Sequence, residues 1–130
     1  MNRIIEVRNA DRGQRVVQRV RWCSSFLCRL RGLTFRRTLP QGLGLLLVEG
    51  AASRLGTAIH MWAVFMPIGV AWLDERQRVV DLKIARPWRV YAPVKPARFI
   101  LEGDPSMLES LAEGDRLEFS DVAHEEIAGP

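Results

Sequence analysis

The stretch IGVAWLDERQRVVDLKIA, residues 68–85, contains two runs of β-branched and large apolar residues. The polar segment DERQ lies between these runs and suits a turn. Apolar runs of this length, bounded by polar turn residues, are typical of paired strands. We therefore predict a β-hairpin over residues 68–85, and the rest of the fold is predicted outward from it.

Further strands are predicted on both sides of this hairpin. The predicted strands are RIIEVRN and QRVVQRVRW as an opening hairpin, Leu43–Val48, Thr57–Phe65, RFILEG and DRLEFS. Ser24 or Ser25 is a candidate N-cap for a short helix that ends near Gly32, and Asp104 with Pro105 begins a second one that ends at Gly114. The predicted class is α+β, with a mostly antiparallel, curled sheet or small β-barrel-like core and two short helices.

Four segments resemble a bacterial and archaeal family named domain of unknown function 192. They are RLRGLTFRRTLPQGLGLLL, IHMWAVFMPIGVAWLDERQRVVDL, ARFILEG and EGDRLEF. The resemblance covers about residues 15–119 and implies a compact, largely β fold, but it carries no established activity. Many members have Asp or Asn where this chain has Gly69, so any site that needs a carboxylate there is absent or altered.

The composition is that of an ordinary globular protein, with 130 residues, 48% apolar and 26% charged. We expect one globular domain over residues 1–120 and an acidic, flexible tail over residues 121–130. No apolar run is long enough to span a bilayer, and the first residues lack the apolar core of a signal peptide. We therefore expect a cytoplasmic protein without membrane contact, in which Cys23 and Cys28 are free thiols.

Charge is distributed unevenly along the chain. Residues 1–40 carry a net charge of +8 and residues 101–130 a net charge of −8. The densest basic cluster consists of Arg29, Arg31, Arg36 and Arg37. A basic cluster can bind phosphates, which makes an RNA- or DNA-binding module one alternative function. The cluster matches no named nucleic-acid module, so nucleic acid is a possible but disfavoured partner.

His60 lies in the most apolar part of the chain, and alternation along Thr57–Phe65 places it among apolar residues on both faces. We expect it to be buried or to face a narrow cavity. Three roles remain open: a core histidine with a hydrogen-bond partner, a ligand-pocket residue, or a catalytic base in a small hydrolase-like enzyme. A core role predicts that His60→Phe loses stability, because its partner would be left unpaired.

The loop RPWRVY, residues 86–91, offers arginine side chains and two aromatic rings on a proline-rich segment. Arginine suits carboxylate or phosphate, and the rings provide flat apolar surfaces. The loop could thus bind a ligand, or the rings could simply pin it to the sheet. The candidate ligand-binding residues are His60, Trp62, Arg86, Trp88 and Tyr91.

Other chemistry finds little support in the sequence. Two cysteines and two distant histidines do not make a zinc pattern, and no glycine-rich phosphate loop is present, so no metal, cofactor or catalytic residue is predicted. The function is left unknown. The favoured hypothesis is a small non-catalytic domain that binds a small anionic or aromatic ligand or a protein partner.

Overall fold

The computed structural model describes residues 3–25, 28–29, 32–33 and 37–122. Within these residues the fold is mostly β. The strands are β1 (Ile4–Asn9), β2 (Gln14–Cys23), β3 (Leu43–Ser53), β4 (Ile59–His60), β5 (Ile68–Leu73), β6 (Val79–Ala85), β7 (Val90–Tyr91), β8 (Ala97–Gly103) and β9 (Leu117–Asp121).

Seven strands form one curled sheet in the order β6-β5-β8-β3-β2-β1-β9, and β4 pairs with β7 in a separate two-stranded sheet. All described strand pairs are antiparallel except β2 with β3. The predicted hairpins β1–β2 and β5–β6 are both confirmed, the second with Ile68 opposite Ala85. The mostly antiparallel, curled sheet is therefore as predicted, and it has the form of a half-barrel.

The two ends of the curled sheet meet at one corner. Arg78, just before β6, forms an antiparallel bridge with Arg116, just before β9. The N–H of Val79 donates to the carbonyl of Asp115 at 2.9 Å, and the N–H of Leu117 donates to the carbonyl of Gln77 at 2.9 Å. Beyond this corner, β6 remains an edge strand.

The loop that follows β7 is tied to the edge strand β6 by two of the side chains of that strand. The carboxylate of Asp81 accepts a hydrogen bond from the N–H of Val94 at 3.0 Å. The ammonium group of Lys83 donates to the carbonyl of Ala92 at 3.0 Å. These two side chains hold the loop against the sheet.

The prediction of two short helices is wrong. The described residues contain one helix shorter than seven residues, the 3-10 helix Pro105–Ser110. Its N-cap is Asp104, as predicted, and the Asp104 carboxylate accepts from the Ser106 N–H at 2.9 Å. Leu111, expected inside this helix, has extended backbone and ends it. This short helix already buries Met107 against the sheet.

The other predicted helix lies partly outside the described residues. In the described part, Cys28 and Arg29 are helical, and the N–H of Gly32 donates to the carbonyl of Cys28 at 2.9 Å. The Ser25 hydroxyl accepts from the Cys28 N–H at 3.2 Å, which is the contact expected of an N-cap serine.

The expectation of free thiols at Cys23 and Cys28 is also wrong, because the two residues form a disulfide. Cys23 ends β2 and Cys28 lies in the following turn, and the turn brings their Cα atoms to 5.6 Å. Disulfides are typical of oxidising compartments, so the cysteines no longer support the cytoplasmic expectation. The described residues include no helix that is both apolar enough and long enough to cross a membrane. Residues 123–130 of the predicted tail lie outside the described residues.

The sheet buries apolar side chains on both faces. Its concave face packs residues such as Leu46, Leu101 and Leu117 around Met107. The opposite face is covered by the segment that contains β4 and by β7. The indole N–H of the fully buried Trp72 donates to the carbonyl of Thr57 at 2.8 Å, which fixes this covering layer to the sheet.

Candidate functional site

The covering layer, which contains β4 and β7, is held together by backbone hydrogen bonds between its two segments, and we call it the frame. The predicted strand Thr57–Phe65 is reduced to β4, because Ala63 adopts a positive φ of 56° and turns the chain. The N–H of Met61 donates to the carbonyl of Arg89 at 2.7 Å, and the N–H of Trp88 donates to the carbonyl of Met61 at 2.8 Å. Trp88 is itself in the left-handed region, with φ of 66°. This conformation costs energy in a residue with a side chain, so the frame must hold it in place.

An aromatic ledge lies on this frame, formed by His60, Trp62, Phe65 and Trp88. The ring of Trp62 lies 6.4 Å from that of His60 and 6.3 Å from that of Trp88. Phe65 meets Trp88 edge to face at 6.2 Å. The three larger rings are 48%, 41% and 55% exposed at Trp62, Phe65 and Trp88. The guanidinium of Arg37 stacks over Phe65 at 4.8 Å from the ring centre.

The ledge gathers part of the set of ligand-binding residues proposed from the sequence. His60, Trp62 and Trp88 are in contact. The hydroxyl of Tyr91 accepts a 2.9 Å hydrogen bond from the backbone N–H of Arg86, so Tyr91 pins the loop. Phe65 and Arg37, which were not among the predicted ligand-binding residues, also lie at this surface. The apolar run gave Phe65 no distinguishing signal, because its exposure depends on the turn at Ala63.

Of the two alternatives expected for His60, burial is wrong, since the residue is exposed, but it does line a narrow cavity. Its Nδ1 accepts a 3.3 Å hydrogen bond from the N–H of Trp62. The turn at Ala63 ends β4 immediately after His60, so the alternation assumed for a long strand does not apply. Among the residues that the structure describes, no carboxylate or hydroxyl is hydrogen-bonded to His60, which leaves the catalytic-base hypothesis without an orienting partner.

A small cavity lies between the sheet and the covering layer. It measures about 70 Å³. The lining residues are Arg29, Gly32, Leu33, Leu47, Ala58, Ile59, His60, Met61, Val64, Ile68 and Glu102. Glu102 comes from β8, where it pairs with Leu45 on one side and Val70 on the other.

Glu102 is the most unusual residue of the cavity. Glu102 is only 4% exposed, and no described residue forms a hydrogen bond or ion pair with its carboxyl group. Burial raises the pKa of Glu102 from its ordinary value of 4.5 to about 7. A carboxyl of this kind, in a cleft, is a candidate functional group. The signal for it in the sequence is weak: an acidic residue near the end of the apolar strand RFILEG.

The basic cluster is only partly described, since Arg31 and Arg36 lie outside the described residues. Arg29 uses its guanidinium within the protein, where it donates to the carbonyl of Val48 at 3.2 Å and pairs with the carboxylate of Glu49. Arg37 stacks on the ledge instead. Within the described residues, no group of three or more His, Cys, Asp or Glu side chains could hold a metal ion.

Comparison with known proteins agrees with the resemblance found in the sequence. The model of the domain of unknown function 192 family, described as an uncharacterized ACR, matches residues 6–119. The chain belongs to this family. A UPF0127 protein of Thermococcus kodakarensis is 35% identical over 94% of this chain and 78% of its own length. A UPF0127 protein of Pyrococcus furiosus is 34% identical over 86% of this chain and 96% of its own length.

Solved structures share the fold of this family member. A Novosphingobium aromaticivorans protein of unknown function has a TM-score of 0.77 and 18% identity, with 90% of this chain and 84% of that one covered. A Sinorhizobium meliloti protein, provisionally named a transcription regulator, has a TM-score of 0.78 and 18% identity over 92% of this chain and 94% of that one. At this identity the likeness concerns the fold alone. The family's name states that its function is unknown, so function must be argued from the site.

The family resemblance leads us to expect Asp or Asn at the position of Gly69. A side chain built at Gly69 would meet the carbonyl of Asp104 at 3.0 Å and Leu108 at 3.2 Å. The position therefore faces the 3-10 helix, whereas the Glu102 cavity lies on the other side of the sheet. The missing carboxylate does not alter the candidate site.

Proposed function

We propose that this chain is a non-catalytic binding domain that docks an acidic segment of a partner protein on the aromatic ledge. The observation that carries the proposal is the exposure of three large rings in mutual contact at Trp62, Phe65 and Trp88. Isolated exposed apolar residues are common on protein surfaces, but contiguous ones mark interaction sites. Tryptophan and arginine are also the residues that most often dominate binding energy at interfaces.

The frame under the ledge supports the proposal. Two backbone hydrogen bonds between Met61 and the Trp88–Arg89 segment fix the turn that carries the Trp88 ring. A surface that is already in its bound shape loses less conformational entropy when a partner docks. The left-handed backbone at Trp88 supports the same conclusion, because strained residues cluster at functional sites.

The charge around the ledge favours an acidic partner. Residues 54–73 and 86–96, which supply all four rings of the ledge, contain Arg54, Arg86, Arg89 and Lys95 but no Asp or Glu. Arg37 adds a further positive charge directly on Phe65. Complementary charge across an interface speeds association and excludes partners of the wrong sign.

The test is selection of peptides from a random twelve-residue display library on the wild-type chain, followed by affinity measurement of the selected peptides. We expect sequences rich in Asp and Glu. Their affinity should fall at least tenfold in Trp62→Ser and in Trp88→Gly, and should weaken with added salt. Leu55→Ser is the matched control, because Leu55 is 86% exposed and forms no ring contact with the ledge.

The proposal fails if the selected peptides carry no acidic bias or bind the ledge variants as tightly as the wild type. Selection of no binder, with tight binding of a small anionic aromatic compound that Trp88→Gly abolishes, would assign the ledge to a small ligand instead of a protein.

A further inference from the structure

Glu102 has no evident structural reason to be a glutamate. It lies on a central strand of the sheet, between Leu45 and Val70, and shares its face with Ile100. A buried acid without a partner destabilises a fold, and an apolar residue of the same size would not. Arg29, the arginine of the described lining, is already paired with Glu49. The described residues therefore leave the Glu102 carboxyl uncompensated.

The size and lining of the cavity indicate which ligand could compensate the charge of the Glu102 carboxylate. Its walls combine apolar side chains, among them Leu33, Val64 and Ile68, with polar groups of Arg29, His60 and Glu102, and its volume of about 70 Å³ holds only a few heavy atoms. Since the charge of Arg29 is already paired with Glu49, Glu102 is the acidic group left to bind the head of a small cation in a space of this size. The hydrocarbon walls suit the methylene carbons next to that head.

The cavity continues into an outer depression. This second space measures about 250 Å³ and is lined by Arg29, Leu47, Glu49, Gly56, Ala58, His60 and Ile100. Four of these residues, Arg29, Leu47, Ala58 and His60, also line the inner cavity. A ligand whose head reaches Glu102 could therefore extend its remaining atoms into the outer depression, past the exposed His60.

We propose that the Glu102 cavity is a binding site for one positively charged nitrogen group, an alkylammonium or a guanidinium. The group could belong to a free amine or to a Lys or Arg side chain of another protein, because both present the same head. This proposal does not depend on the aromatic ledge.

The proposal predicts a specific pH dependence. Burial raises the pKa of Glu102 to about 7 in the empty cavity, so only part of the population is ionised near neutral pH. A cation binds the ionised form, and its affinity should rise about tenfold between about pH 6 and about pH 8, as the ionised fraction rises. The other charged or titratable groups that line the two spaces are Arg29, His60 and Glu49. His60 lines both spaces, so a His60→Asn variant isolates the contribution of Glu102.

The experiment is a titration of the full chain with n-butylammonium, observed through the ¹³C resonances of the glutamate carboxyl groups. We expect the Glu102 resonance to move and its titration midpoint to fall to lower pH, in both the wild type and His60→Asn. The neutral isostere 1-butanol should have no effect. Glu102→Gln should abolish binding, and Val64→Phe should abolish it by filling the cavity while the carboxyl remains.

Further arms distinguish the source of the cation. Capped lysine and arginine, each with both backbone ends blocked, should bind more tightly than n-butylammonium if a partner side chain is the ligand, and more weakly if a free amine is. The absence of any response of Glu102 to all three cations would overturn the proposal. Equal binding by wild type and Glu102→Gln would also overturn it. Trp88→Gly should bind n-butylammonium as tightly as the wild type does. The cavity proposal can therefore be judged even if the ledge proposal fails.

Discussion

The backbone N–H of Trp88 donates a 2.8 Å hydrogen bond to the carbonyl of Met61, and this bond holds a tryptophan in the left-handed region of backbone space. Left-handed backbone costs roughly 1–2 kcal/mol in any residue with a Cβ atom. The ledge therefore includes a strained residue where glycine would fold more easily.

The strain at Trp88 can be measured by comparing Trp88→Gly with Trp88→Ala. Both variants lose the ring, but only glycine accepts the positive φ without cost, so we expect Trp88→Gly to be more stable by about 1 kcal/mol. The measurement is chemical denaturation. The same pair at Val90, in the extended strand β7, serves as the control and should favour alanine. Equal stability of the two Trp88 variants would contradict the strained conformation.

Glu102 should make the stability of the protein depend on pH. Its pKa is about 7 in the folded state and 4.5 ordinarily, so the folded state binds the extra proton between these values. The stabilising effect is fully present below about pH 4.5 and is lost as pH rises through about 7. The total loss is about 3 kcal/mol, at 1.36 kcal/mol for each pKa unit.

Glu102→Gln isolates this effect, because an amide has the same shape and does not titrate. We expect its free energy of unfolding to match that of the wild type near about pH 4 and to exceed it near about pH 8. Denaturation across this pH range, in a buffer without amines, gives the comparison. A constant difference between the two proteins would show that Glu102 does not titrate in this range.

Asn9→Asp, which replaces the amide NH₂ by an oxygen, should strongly lower the free energy of unfolding. It is fully buried, and its amide NH₂ donates to the carbonyl of Ser110 at 2.9 Å and to the carboxylate of Asp115 at 2.8 Å. Asn9→Asp would place a second carboxylate against these acceptors, and we expect a loss of about 3 kcal/mol at neutral pH. The control is Asn9→Ala, which removes the bonds without adding charge and should cost less. The measurement is the thermal unfolding of both variants. Asn9→Asp should recover part of its stability at low pH, where the added carboxylate is protonated.

The disulfide between Cys23 and Cys28 should stabilise the fold despite its short loop. The chain-entropy relation gives about 2 kcal/mol for a loop of this length, so a reductant should lower the melting temperature of the wild type. Cys28→Ala should melt at the temperature of the reduced wild type and should not respond to the reductant. Complete reduction, verified by mass, without a change in melting would contradict this expectation.

Much of the fold follows from local pattern. The two hairpins, the strand RFILEG and the cap at Asp104 depend on residues close in sequence, and each lies where the pattern indicates. The helix after Asp104 is shorter than predicted because its length is set by how much of the sheet Met107 must cover, which is a matter of tertiary packing.

The site depends more on tertiary structure. The apolar run around His60 predicts a buried strand, but the chain turns at the left-handed residue Ala63, and Trp62 and Phe65 on either side of it are exposed. No sequence rule assigns a positive φ to that alanine. Glu102 similarly reads as the polar end of a strand until the covering layer is known to bury it. The Cys23–Cys28 pair depends on a turn that brings the two residues together.

The loop held by Asp81 and Lys83 has a consequence for the behaviour of the protein at high concentration. An uncovered edge strand offers a row of unpaired backbone groups to which another molecule can add its own strand, a common beginning of aggregation. At β6 the two side chains that hold the Ala92–Val94 loop, Asp81 and Lys83, carry charge, and charges on an edge strand hinder such pairing. Loss of both charges would therefore promote self-association of the chain even where the half-barrel itself remains folded.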